Sequence, residues 1–234
     1  SPVTGSILVR EPSIPIDVDA YVEGTVAKVI DGEGAIIETR GAMVQGIFGI
    51  GGERIAEIRV AVNSPNDVLE ASNIQDSDKG KLLVGGSGVT LEAIQKAVQV
   101  GVSGLVAGGI KDKDLIAFLG YDIGVAITGQ EPIDLTILVT EGFGYLSMAN
   151  RTFELLKSLQ GKVASINGAT QIRAGVIRPE IIVPLKELTG ESHKAQMGGS
   201  LEIGTSIRVI REPYFGQLGT VTELPPQLMV VDSG

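Results

Sequence analysis

Four small residues, Gly85, Gly86, Ser87 and Gly88, follow the apolar run Leu82–Val84, and Thr90 then opens a segment with helical spacing from Leu91 to Val100. A strand, a glycine-rich turn and a helix in that order can set backbone N–H groups around an anion. The turn matches neither nucleotide-binding fingerprint. Its glycines lack the GxGxxG spacing, and Val89-Thr90 stands where a P-loop needs Lys followed by Ser or Thr. The pattern suits a small anionic or nucleotide-like ligand, although such turns also form with no ligand.

Ligands of a parallel sheet lie beyond the carboxyl ends of its strands. That rule adds Gly108, Gly109 and Lys111 from a second strand, Thr140 and Glu141 from a third, and Asn167 with Thr170 from a fourth. Glu141 is the best single catalytic candidate, a general base beside a ligand held by the first turn. The chain has no Cys and one His, His193, set in a polar stretch without neighbouring ligand types. Cys–His and Ser–His nucleophiles and sulfur-ligated zinc therefore cannot be assembled. Asp112 and Asp114 alternate with lysines at a helix start, where they favour the helix dipole. No metal and no cofactor is expected, and catalysis is the secondary reading.

The elements that must position these residues read as repeating strand and helix. Leu91, Ile94, Ala97 and Val98 share a helix face, with Gly101 as the stop. The run Gly104 to Gly109 is a second strand, followed by a helix from Asp112 to Leu119 that Gly120 ends. A third strand, Leu135 to Gly144, precedes a helix from Met148 to Gln160 with Ser147 as its N-cap and Gly161 as its stop. Lys162 to Gly168 is the fourth strand. Further strands are expected at Ile123 to Thr128, at Ile172 to Ile177 and at Glu180 to Leu185. Strands alternating with helices predict an α/β domain with a mainly parallel sheet over 81–187.

The flanks have another texture. Residues 1–20, with three prolines, read as an extended arm; 21–80 carry short β-type runs broken by glycine, a β barrel or sandwich closed by the polar boundary Asn63 to Gly80. These runs resemble barrel-sandwich modules related to biotinyl and lipoyl domains, but Lys28 sits within a strand and lacks the sequence context of a modified lysine. Residues 188–200 read as a linker.

From Leu201 an alternating run, SIRVI, a turn at Glu212 to Gly216 and a second run, GTVTEL, describe hairpin-rich β structure. Gly204, Val209, Pro213, Tyr214, Phe215, Gly216, Gly219 and Val221, in this order and spacing, resemble the KOW motif of NusG-type elongation factors and some ribosomal proteins. The resemblance covers 201–231 and implies a small β-barrel, incomplete at Gly234, that contacts RNA or a protein. It implies a partner-binding role for Arg208, Arg211, Tyr214 and Phe215 near the first loop. Arginine beside stacking aromatics suits single-stranded nucleic acid.

Charge weighs against RNA. The net charge is −9: residues 1–80 hold 6 Lys+Arg against 13 Asp+Glu, 81–187 hold 10 of each, and 188–234 hold 3 against 5. No segment supplies the excess cations that nucleic-acid affinity draws on. The length of 234 residues and 43% hydrophobic content fit two or three packed modules. No apolar run approaches the ~20 residues of a membrane span, and the start lacks a signal-peptide pattern, so a cytoplasmic protein without a membrane partner is expected. The leading functional expectation is a non-enzymatic binding or assembly protein with a protein or RNA partner. The alternative is an enzyme or sensor of a phosphorylated ligand, and self-association is a further possibility because β edges need covering.

Overall fold

The computed structural model describes residues 20–121, 128–129, 131–171, 177–185, 203–204, 206–208 and 218–224. The arm 1–19, the strand at 123–127, that at 172–176, the linker with His193, and Arg211, Tyr214 and Phe215 lie outside the described residues.

The chain is mixed α/β. A hairpin, β1 (Thr25–Ile30) and β2 (Gly34–Glu38), comes first, followed by β3 (Gly41–Gln45), β4 (Phe48–Ile50), β5 (Glu53–Val60) and the short β6 (Val68–Leu69). Next are β7 (Lys81–Val84), β8 (Gly88–Val89), α1 (Leu91–Val100), β9 (Gly104–Ile110), α2 (Asp112–Leu119), β10 (Thr136–Phe143) and α3 (Asn150–Ser158). The described elements end with β11 (Val163–Asn167), β12 (Glu180–Pro184), β13 (Ser206–Arg208) and β14 (Leu218–Thr220).

One large sheet runs in the order β3-β12-β11-β5-β7-β9-β10-β4, with β6 and β8 attached beside it. Its centre, β5-β7-β9-β10, is parallel. Of these, β7, β9 and β10 read as apolar runs because both faces are covered, and β9 is buried throughout. The β11 pairings with β5 and β12, and the β12 pairing with β3, are antiparallel. Here the residues alternate: Ala164, Ile166, Ile181 and Val183 face the core, while Ile55 and Val163, 58% and 57% exposed, face water.

The two ends of the sheet path are adjacent in sequence. Gly46 N–H donates to Pro179 O at 2.8 Å, beside β12, and Ile47 N–H donates to Val139 O at 2.9 Å, on β10. The stretch 41–50 therefore supplies both margins of the sheet. This corrects the expected separation of a barrel or sandwich at 21–80 from a parallel domain at 81–187: β3, β4 and β5 belong to the same sheet as β7 to β12. Val44, Ile50, Ala56 and Ile58 share one core cluster with Leu82, Val106, Leu138, Ile166 and Ile181. Of the described strands within 21–80, the hairpin β1–β2 alone stays apart, as a two-stranded sheet.

Helix signals fare well. Thr90 Oγ1 accepts from Ala93 N–H at 3.1 Å, and Gly101 ends α1 in the left-handed region at φ 84°. Val98, expected on the buried face, is 41% exposed. Helix α3 starts two residues later than expected, with Ala149 and not Ser147 at its cap. In the C-terminal segment β13 pairs antiparallel with β14, joining the two expected runs, and no closed barrel is formed among the described residues. No helix among the described residues is long and apolar enough to cross a membrane.

The polar stretch 63–80 is not a linker either. It holds β6, two short 3-10 turns and Asp78, whose fully buried carboxylate meets Arg59 Nε at 2.6 Å and Arg59 Nη2 at 2.8 Å and caps Gln75 N–H at 2.8 Å. Removing one member of such a pair strands the other. Asp78→Ala is expected to lower the unfolding free energy by about 3–5 kcal/mol, read from the urea midpoint, whereas a loss below about 1 kcal/mol would show the pair to be solvated.

Candidate functional site

At the carboxyl edge of the parallel strands the structure brings together Gly85, Gly86, Ser87, Gly88, Lys111 and Glu141. The edge is filled by the chain itself. All four turn residues are buried, and the polar groups of Gly85 and Ser87 bond to neighbouring backbone. Ser87 N–H donates to Asp67 O at 2.8 Å and Ser87 Oγ to Asn66 O at 2.8 Å. Gly85 N–H donates to Val106 O at 2.8 Å.

The glycines are needed for close approach. A Cβ on Gly86 would lie 2.4 Å from Asp67 O and 2.5 Å from Ser64 O, and one on Gly108 would lie 2.8 Å from Met148 N. The side chain of Tyr145 packs over Gly88, and the Lys111 ammonium sits 3.9 Å from the centre of that ring. Glu141 is 7% exposed. Its Oε1 accepts from Ala149 N–H at 3.1 Å and from Thr140 Oγ1 at 3.2 Å. The carboxylate thus serves the positive N-terminal end of α3.

Asn167 is not part of this edge. Because β11 is antiparallel to β5, Asn167 pairs with Glu53 at the start of β5, and the carboxyl end of β11 lies with the amino ends of the parallel strands. Thr170 goes with it. The expectation of a fourth parallel strand fails because helical spacing before a strand does not fix the strand's direction.

At this opposite end the structure assembles a second group of polar residues. Glu180, Asn167 and Glu53 stand in register across β12, β11 and β5, and Asn167 Nδ2 approaches Glu53 Oε1 at 3.5 Å. The segment before β1 lies over them: Ser165 Oγ donates to Tyr21 O at 2.6 Å, and the Tyr21 hydroxyl is buried without a hydrogen-bond partner among the described residues. Burial, then the negative charges of Glu180 and Glu53, hold the Tyr21 phenol protonated well beyond its usual range. Burial, then the charge of Glu53, raises the Glu180 carboxyl.

Beside this row opens a cavity of about 470 Å³ lined by Gly52, Glu53, Thr128, Gly129, Asn167, Ala169, Thr170, Gln171 and Ile177. Its deeper wall is internally bonded. Thr128 Oγ1 donates to Gly49 O and accepts from Thr170 N–H, both at 2.8 Å, and Glu131 Oε2 accepts from Gly51 and Gly129 N–H, both at 2.8 Å. Among the described residues no three His, Cys, Asp or Glu side chains converge as a metal site. Tyr21, Glu53 and Glu180 lack any local motif; only the alternation of β5, β11 and β12 hints that their polar residues share a face.

A second cavity, about 810 Å³, lies between the base of the hairpin and β12 and includes Val22, Ile37, Arg40, Ile182, Pro184 and Leu185. Of the residues the sequence assigns to partner binding, Arg208 falls in β13, paired with Leu218. Comparison of the chain with protein-family models, curated proteins and solved structures gives no match.

Two measurements check this geometry. Gly86→Ala forces backbone apart and is expected to cost on the order of 1–3 kcal/mol in chemical denaturation; an unchanged midpoint would mean that the turn is open. The Glu180 carboxyl titrates higher in the folded than in the unfolded chain. Its protonated form stabilises the fold below the unfolded value, and that contribution is lost as pH rises through the raised value. Glu180→Gln should therefore raise Tm at neutral pH, with the gain vanishing as pH falls to about 4; a lower Tm at neutral pH would contradict the assignment.

Proposed function

We propose that the chain is a binding or assembly protein whose partner is another protein. The observation that supports this best is the hairpin β1–β2. Every residue of β1 is exposed, with Val26 54% and Val29 66% accessible, and Ile36 on β2 is 45% accessible. A lone two-stranded hairpin gains little stability by itself in water. Aliphatic faces, and edges that pair with no other strand among the described residues, invite an added strand or an apolar surface, and the groove at the hairpin base offers room for a segment of the partner.

The KOW-like stretch 201–231 joins this reading as a second contact, with Arg208, Arg211, Tyr214 and Phe215 as its partner-facing residues. A protein suits it better than RNA, because residues 188–234 hold 3 cations against 5 anions and phosphate binding draws on an excess of cations. The phosphorylated-ligand enzyme or sensor loses support, since the turn meant to hold the ligand is filled by backbone.

A photo-cross-linking amino acid placed at Val29, in the full chain in its source cells, tests the proposal. A discrete protein adduct is expected from position 29, absent from position 92 on α1 and lost when Val26→Lys is added. Nuclease-sensitive adducts from position 211 without a protein adduct from position 29 would overturn it.

A further inference from the structure

We infer that the cavity at the amino edge of the parallel strands is a binding site for a small ligand carrying a primary ammonium group. Its volume of about 470 Å³ falls within the roughly 300–1,000 Å³ of small-molecule sites. The chemistry of its wall sets the sign of the ligand. Glu53 brings a solvent-accessible carboxylate, Glu180 stands two strands away in the same row, and no Lys or Arg is among the described lining residues.

The nearby donors are already used. Gly51 and Gly129 N–H are held by Glu131, and the Thr128 and Thr170 hydroxyls are held by the Gly49 backbone. The Glu53 carboxylate lines the cavity beside the Gln171 amide and the Asn167 amide, whose Oδ1 accepts from Ala169 N–H at 2.8 Å and whose Nδ2 approaches Glu53 Oε1 at 3.5 Å. An anion would meet repulsion and find few donors. A metal ion would find one lining carboxylate, too few charged oxygens to replace its water shell. An ammonium group brings one positive charge and three donors, which suits the Glu53 carboxylate with the Gln171 amide in the same cavity wall. Burial and then the charge of Glu53 raise the Glu180 carboxyl, in keeping with an excess of negative charge along this row of described residues.

The inference is independent of the protein-contact reading, because the cavity shares no residue with the hairpin or its groove. Gly52 provides a clean probe. Its φ is not in the left-handed region, and a Cβ there would meet only Gly129 O, at 3.6 Å. Gly52→Leu therefore places a side chain at the cavity wall without backbone conflict.

The experiment is calorimetric titration of the full chain at low salt and neutral pH with putrescine and glucosamine, against the neutral 1,4-butanediol and N-acetylglucosamine. The ammonium probes are expected to bind at millimolar or lower concentration and the neutral ones at least about tenfold more weakly. Glu53→Gln should weaken ammonium binding by about tenfold or more, and Gly52→Leu should abolish it with an unchanged circular dichroism spectrum. Glu53→Gln alone decides if Gly52→Leu does not fold. Equal binding of charged and neutral probes, unaltered binding to Glu53→Gln, no binding by about 20 mM, or displacement of the probes by Mg²⁺ at lower concentration would each overturn the inference.

Discussion

The stretch 41–50 carries the constraint on which the rest depends. Ten residues must pair with β12 through their first half and with β10 through their second, and the exchange happens at Gly46 and Ile47. A strand that serves both margins draws the sheet round until its inner residues meet. Val44 and Ile50 thereby enter the same core as Leu83 and Ile166. Backbone has to pass backbone closely at this seam: a Cβ on Gly49 would sit 2.7 Å from Gly168 O and 2.8 Å from Ile137 O. The parallel centre then takes its cover from α1, α2 and α3, whose Ile94, Leu115 and Phe153 join the core, while the antiparallel strands keep one face in water.

That division decides where chemistry is accessible. At the carboxyl edge the loops at 63–67 and 144–149 press onto the glycine turn, and the N-terminal end of α3 takes up Glu141 as a distant cap. Residues with the look of a ligand site serve there as packing and capping groups. At the amino edge the antiparallel strands end in polar residues, and the Glu180–Asn167–Glu53 row borders open space. The cavity of about 470 Å³ thus lies behind the parallel strands, away from the carboxyl ends where ligands of open parallel sheets usually sit.

Local signals were the legible ones. The Thr90 cap, the Gly101 and Gly120 stops and the unbroken apolar runs of β7, β9 and β10 reflect interactions within a few residues, which the sequence displays directly. Strand direction and neighbour choice are different in kind. Nothing within β11 names β5 as its partner, and nothing in 41–50 announces two partners, since those choices are made by packing between segments far apart in the chain. The 63–80 stretch misleads for a related reason: Asp67, Asn73 and Asp78 are tied to neighbouring backbone N–H groups, and Asp78 also to Arg59, so a structured segment imitates a solvated linker. Tyr21, buried over β11, has no local motif to reveal it.

The claim that the carboxyl edge is sealed and the amino edge open is tested most directly by native-state hydrogen exchange at single-residue resolution. The amides of Gly85, Ser87 and Gly108, bonded to Val106, Asp67 and Gly86 oxygens, should exchange as slowly as core β9, through global unfolding. Rapid exchange at these three amides while β9 stays protected would show an open turn and contradict the account.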